Sequence, residues 1–167
     1  MPPPKHYYED IVAGRTEALG STSVTKAEII AFARAFDPQP LHLDEEAARA
    51  TMVGRLCASG WHSCAILMRL ICDGFLLDAA SLGSPGMEEV RFLKPVFPDD
   101  TLSGRFTCST KRTLASRPNV GICRVLFELL NGDGEVVLSW DTNQLFALRT
   151  PPATTEVLPL ASISKIS

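Results

Sequence analysis

Gly60-Trp-His-Ser-Cys-Ala-Ile-Leu-Met-Arg-Leu-Ile-Cys-Asp-Gly-Phe75 is the stretch on which the fold turns. No proline interrupts it, and the spacing predicts one long helix. Its apolar residues, Trp61, Ala65, Ile66, Leu67, Met68, Leu70 and Ile71, cannot share a single stripe, so the helix is expected to be covered on most of its sides. It reads as the central helix of a small domain. The most apolar window, Cys64 to Leu77, contains Arg69 and Asp73 and is too short to span a bilayer. No transmembrane helix is expected.

Downstream, the character changes after Gly83-Ser-Pro-Gly86. Residues Glu89–Val96, Thr101–Leu114, Val120–Asn131 and Glu135–Arg149 are rich in β-branched and aromatic side chains and read as strands. Asn131-Gly-Asp-Gly134 is a hairpin turn signal. Upstream, Arg15–Val24 reads as a further strand. Thr25-Lys-Ala-Glu28 then has the form of a capping box, with Ile29, Phe32, Ala33 and Phe36 forming one helical stripe. Pro38 ends that helix, and Asp44–Ala50 could form a short second one. A strand, then helices, then a run of antiparallel strands describes an α+β architecture in which a sheet wraps one helix.

The chain has 167 residues, of which 46% are apolar, and a formal net charge of -3. That length fits a single domain with a buried core. The acidic balance argues against nucleic-acid or membrane-surface partners, which call for a basic excess. The first ten residues lack the apolar core of a secretory signal, so a cytoplasmic location is expected. Five cysteines, with no Cys-x-x-Cys pair, support neither a disulfide framework nor structural zinc. They read as small packing residues.

The chemistry concentrates in Phe36-Asp-Pro-Gln-Pro-Leu-His42, just past the first helix. Each proline pushes the residue before it, Asp37 and Gln39, toward extended backbone. A rigid, non-helical strap is expected, able to aim Asp37 and His42 at one water molecule. Ala58-Ser59-Gly60, opening the central helix, could supply amides for a developing oxyanion. A base, an acid and such donors are what adding water to the double bond of an enoyl thioester requires. Taken singly, each piece has a plainer reading. An Asp before proline is commonly a turn residue, and Ser59 could simply cap the helix. A metal site from Asp37, His42 and Asp44 is a further alternative.

Phe36-Asp-Pro-Gln-Pro-Leu-His, with Asp44, Ala47 and Ala48 and then Ala58-Ser-Gly-Trp-His62, resembles the MaoC-like dehydratases, relatives of the R-specific enoyl-CoA hydratases. Val90-Arg-Phe-Leu-Lys-Pro-Val96, Asp100-Thr-Leu102, then Arg112, Ser116, Pro118 and Gly121, and Asn131-Gly-Asp-Gly-Glu-Val-Val137 continue the resemblance in order. With Tyr8-Glu-Asp10 and Gly14 it covers about residues 7 to 149. Gln39 marks a departure, since R-specific hydratases commonly carry Gly-Asp-x-Asn-Pro. The dehydratase branch often has the form seen here.

The resemblance implies a hotdog fold spanning residues 1–149, with 150–167 as a tail, and a homodimer joined edge to edge through its sheets. It implies a hydro-lyase in which Asp37 and His42 activate water. Gly60, with Ser59 contributing, would hold the thioester oxygen. The substrate would be an acyl-CoA or acyl-carrier thioester, so coenzyme A would be part of the substrate, with no separate cofactor or metal. A hotdog thioesterase and a non-catalytic acyl-thioester-binding module are the alternatives on this fold. Arg91, Lys94, Lys111, Arg112 and Arg117 are candidate phosphate partners. His62 is expected to support or pack rather than react.

Overall fold

In a computed structural model that describes residues 3–150, the chain runs β1 (Thr16–Ser23), α1 (Lys26–Phe36), α2 (Pro40–Leu43), α3 (Glu45–Arg49), α4 (Gly60–Gly74), β2 (Ser81–Phe92), β3 (Thr101–Leu114), β4 (Arg117–Leu130) and β5 (Val136–Ala147). The tail expected from residue 150 onward falls, from 151, outside the described residues. All strand pairs are antiparallel, and the order across the sheet is β1-β3-β4-β5-β2. The long helix α4 packs on β1, β3 and β4. This is the α+β hotdog arrangement that the resemblance implies, although α4 buries one face, with Leu67, Leu70 and Ile71, and leaves Trp61 and Ala65 exposed where cover on most sides was expected.

Local chemistry accounts for the element ends. Thr25 and Glu28 make the reciprocal capping box, Thr25 Oγ1 accepting from the Glu28 amide at 3.2 Å and Glu28 Oε2 accepting from the Thr25 amide at 2.7 Å. The β4–β5 turn closes through Asn131, whose side-chain oxygen accepts the amides of Asp133 and Glu135 at 3.1 and 2.9 Å. Burial then fixes the layers. Leu67, Leu70 and Ile71 of α4 meet Leu102, Phe106, Phe127, Leu129 and Phe146 of the sheet in one core, and the Phe75 ring stacks on Phe106 at 4.6 Å. By length and composition the run Gly60–Asp78, 19 residues of mean hydropathy 1.2, would suffice to cross a membrane, so the apolar run is longer than the Cys64–Leu77 window suggested. Its helical part instead turns its most apolar side to the sheet and pairs Arg69 with Asp73 on the exposed side.

Two expectations for the strands need correction. Strand β2 begins at Ser81, not Glu89, and takes in Gly83-Ser-Pro-Gly86. Its pairing with β5 shifts register between Ser81 and Gly83, between Gly83 and Gly86, and between Met87 and Glu89. The strand lies at the sheet edge, where a proline removes no ladder bond and bulges are tolerated, so the punctuation bends the strand without ending it. Conversely, Leu93–Val96 leave the sheet, with the Leu93 and Lys94 amides both reaching the Val137 carbonyl. That turn brings Lys94 and Pro95 to the cavity lined by Asp37 and His42.

Candidate active site

Helix α1 stops at Asp37, whose backbone (φ -147, ψ 70) has left the helical region as the following proline requires. Gln39 is extended as well (φ -77, ψ 139). The strap does not remain non-helical to His42, however. Pro40 takes the first position of the single turn α2, where its fixed φ suits a helix start and its missing N–H costs nothing. That turn rolls His42 inward and buries it.

The imidazole is oriented by the main chain. His42 Nδ1 lies 2.8 Å from the carbonyl oxygen of Cys57, which can only accept, so Nδ1 carries the proton and Nε2 of the neutral ring keeps its lone pair. Nε2 stands 3.6 Å from Asp37 Oδ2. Two donors hold the carboxylate. Ser59 Oγ donates to Oδ2 at 2.6 Å, and Gln39 Nε2 donates to Oδ1 at 2.7 Å. The Ser59 hydroxyl and the Gln39 amide together hold the Asp37 carboxyl below the usual carboxylate range, outweighing the opposing effect of its partial burial.

Ser59 does both of the jobs read from sequence. It is the N-cap of α4, its oxygen accepting the Trp61 amide at 3.2 Å, while its hydrogen goes to Asp37. Gly60 follows as the first helical residue, so its amide has no carbonyl one turn earlier in the helix and points out at the positive end of the dipole. A Cβ built at Gly60 would lie 2.7 Å from the Phe92 ring, which itself packs edge-on against Trp61. A larger residue there would have to displace the Phe92 ring. Asp37, His42 and Gly60 line one cavity of about 400 Å³, to which Leu93, Pro95 and Val137 also contribute.

Other sequence candidates go elsewhere. Asp44 does not join Asp37 and His42; its Oδ1 accepts the Ala47 amide at 2.8 Å as the N-cap of α3. Lys111 is removed from the phosphate candidates, because its ammonium is bound by the carbonyls of Tyr8 and Ile11 at 3.0 and 2.6 Å. Arg91 pairs with Glu89 and Lys94 with Glu135, though Lys94 also lines the cavity. His62 is buried and its ring lies flat on Phe32, 4.5 Å between centroids. Burial pushes its pKa down, which fits an uncharged packing role.

Two contributors were not foreseen. The Cys57 carbonyl leaves no mark in sequence, since any residue has one. Gln39 did leave a signal: extended backbone places side chains two apart on one side, and the prolines had already announced that conformation for Asp37 and Gln39.

Fold and site together define a hotdog protein with a carboxylate–imidazole pair and a helix-opening amide around one cleft. The chain belongs to the MaoC-like family: the profile described as MaoC like domain matches residues 12–126. The uncharacterized protein YdeM of Bacillus subtilis (strain 168) is 35% identical over 124 residues, covering 74% of this chain and 86% of YdeM. Among solved structures, a MaoC-like dehydratase from Rhodospirillum rubrum superposes with a TM-score of 0.80 at 37% identity, over 86% of this chain and 98% of that one. The (R)-hydratase from A. caviae involved in PHA biosynthesis shares the fold, with a TM-score of 0.65 at 21% identity over 81% of this chain and 97% of its own.

Proposed function

We propose that the protein is a hydro-lyase that adds water across, or removes it from, the 2,3 bond of an acyl thioester. The observation that carries this reading is the convergence of Asp37, His42 Nε2 and the Gly60 amide on one cleft. A water placed between Nε2 and Oδ2 can hydrogen-bond both groups. Its oxygen attacks C3 of an enoyl thioester as its proton passes to the pair, and the π electrons move to the thioester oxygen, where the Gly60 amide holds the enolate. The same proton then returns to C2. Run backward, the sequence dehydrates a 3-hydroxyacyl thioester. Family membership and the hydratase among the fold relatives support the assignment.

In this reading coenzyme A or an acyl carrier is part of the substrate, no separate cofactor takes part, and the enzyme is cytoplasmic. The test is to incubate the protein with enoyl-CoAs of graded chain length and follow both enoyl absorbance and free thiol. Loss of absorbance without thiol is the expected result. Thiol release at equal rate would make the protein a thioesterase, and saturable binding with neither signal would make it a binding module.

We further propose that two copies join through β2. The strand is at the sheet edge for 12 residues, and Leu82, Met87 and Phe92 are exposed along it. An edge of that length with apolar side chains on it is a template for another strand. Sedimentation is expected at twice the chain mass, and a monomer at micromolar concentration would refute the pairing.

A further inference from the structure

We infer that Gln39 is a positioning residue that fixes the Asp37 carboxylate in place, so that the proton leaving water is taken by His42 Nε2 and not by Asp37. The inference rests on the hydro-lyase reading of the site. Among the described residues Gln39 Nε2 supplies the hydrogen bond to Oδ1, while Ser59 Oγ supplies the one to Oδ2. These donors come from different elements, the strap after α1 and the cap of α4. One donor would leave the carboxylate free to rotate about its Cβ–Cγ bond; two on opposite oxygens set its plane. Oδ2 then stays toward Nε2, at 3.6 Å.

Both donors bind the charged form of Asp37 and lower its basicity. His42 faces the other way in this respect. Its Nδ1 proton is committed to the Cys57 carbonyl, which leaves the Nε2 lone pair as the acceptor pointing into the cleft. The remaining charged or titratable groups around the cavity do not substitute for Gln39. Lys94 is paired with Glu135, and burial pushes the Cys57 thiol up, away from ionisation. Pro40 holds the Gln39 backbone extended and Pro38 does the same for Asp37, so the two main-chain positions are fixed and only side-chain torsions are left to order.

Two substitutions at position 39 separate this role from a merely structural one. Gln39 is exposed, so neither is expected to disturb folding. In Gln39→Leu, removal of a hydrogen bond to a charged group should lower kcat about 10-fold, with KM within about twofold. The Asp37 carboxyl, followed by carbon NMR in labelled protein, should titrate at higher pH than in the parent. In Gln39→Glu two carboxyls meet at hydrogen-bond distance and one must keep a proton at raised pKa. While protonated, the new carboxyl donates to Asp37 as the amide did. Once it ionises, Asp37 loses that donor and gains a like charge. The Gln39→Glu enzyme should therefore lose activity as pH rises through that pKa, a descending limb the parent lacks. An unchanged Asp37 titration in Gln39→Leu would overturn the inference, as would a Gln39→Glu profile shaped like the parent's. The NMR titration needs no substrate, so absence of turnover in the parent would end the hydro-lyase reading while the clamp on Asp37 was still decided.

Discussion

Hydration of an accepted enoyl-CoA should fall about 100-fold or more when His42 is replaced by alanine, the range a positioned acid–base group contributes. The variant loses the Nε2 lone pair facing the cleft and has nothing near to replace it. Asp37 is the closest alternative base, but Ser59 and Gln39 hold its carboxyl below the usual range and so make it a weak one. Asp37→Asn should fall by a similar factor for a different reason. An amide there presents only one acceptor to the two donors that now bind two oxygens, and it removes the negative charge that faces His42 as the ring takes up a proton. Comparing kcat and KM on one substrate, with thermal unfolding to confirm the fold, provides the check. Turnover within a few-fold of the parent in either variant would remove that residue from the proposed mechanism.

A second large effect is expected on stability, from Gly74→Ala near the end of α4. A Cβ at this position would sit 2.5 Å from the Leu19 carbonyl oxygen and 2.8 Å from the Leu19 Cα, both main-chain atoms of β1. Main chain cannot swing aside as a ring tip can, so the helix end and the strand must separate. Overpacking of this kind costs about 1–3 kcal/mol, and the better helix propensity of alanine returns about 1 kcal/mol of it. The net loss, up to about 2 kcal/mol, corresponds to a melting temperature lower by up to about 4–8 °C for a chain of this size. Gly132→Ala is the matching control, because nothing lies within 4 Å of its Cβ and its φ needs no glycine. If both variants melt with the parent, the close approach of α4 to β1 is not as tight as the contact implies.

What the sequence disclosed depended on whether the deciding interaction was local. The capping box at Thr25, the stop at Pro38, the hairpin at Asn131 and the apolar run of α4 are each written within a few residues, and each stands where its pattern puts it. The start of β2 was not legible, because Gly83-Ser-Pro-Gly86 breaks a central strand but only bends an edge strand, and edge position is a property of the whole sheet. The turn α2 is hard to read for a different reason: Pro40 extends Gln39 before it, but proline also opens helices, and the local sequence fits both.

The site divides the same way. Asp37, His42, Ser59 and Gly60 were legible as residue types at a telling spacing; the fold puts Asp37, His42 and Gly60 on one cleft and buries Ser59 against Asp37. The contact of Gln39 with Asp37 depended on the direction of two side chains, and the contact of His42 with residue 57 spans 15 positions and is made chiefly to a main-chain carbonyl, at 2.8 Å, with the Cys57 sulfur farther off at 3.7 Å.

That last contact has a consequence for how the site tolerates change. Because a main-chain carbonyl at 2.8 Å receives the Nδ1 proton, the tautomer of His42 is set by the course of the chain more than by the 3.7 Å contact with the Cys57 sulfur. Position 57 can exchange its thiol for another small side chain and still present the same oxygen to the ring. The tautomer is thus insulated from most point mutations at the residue that sets it, and an insertion or deletion in the segment before α4 would disturb it more readily than a substitution.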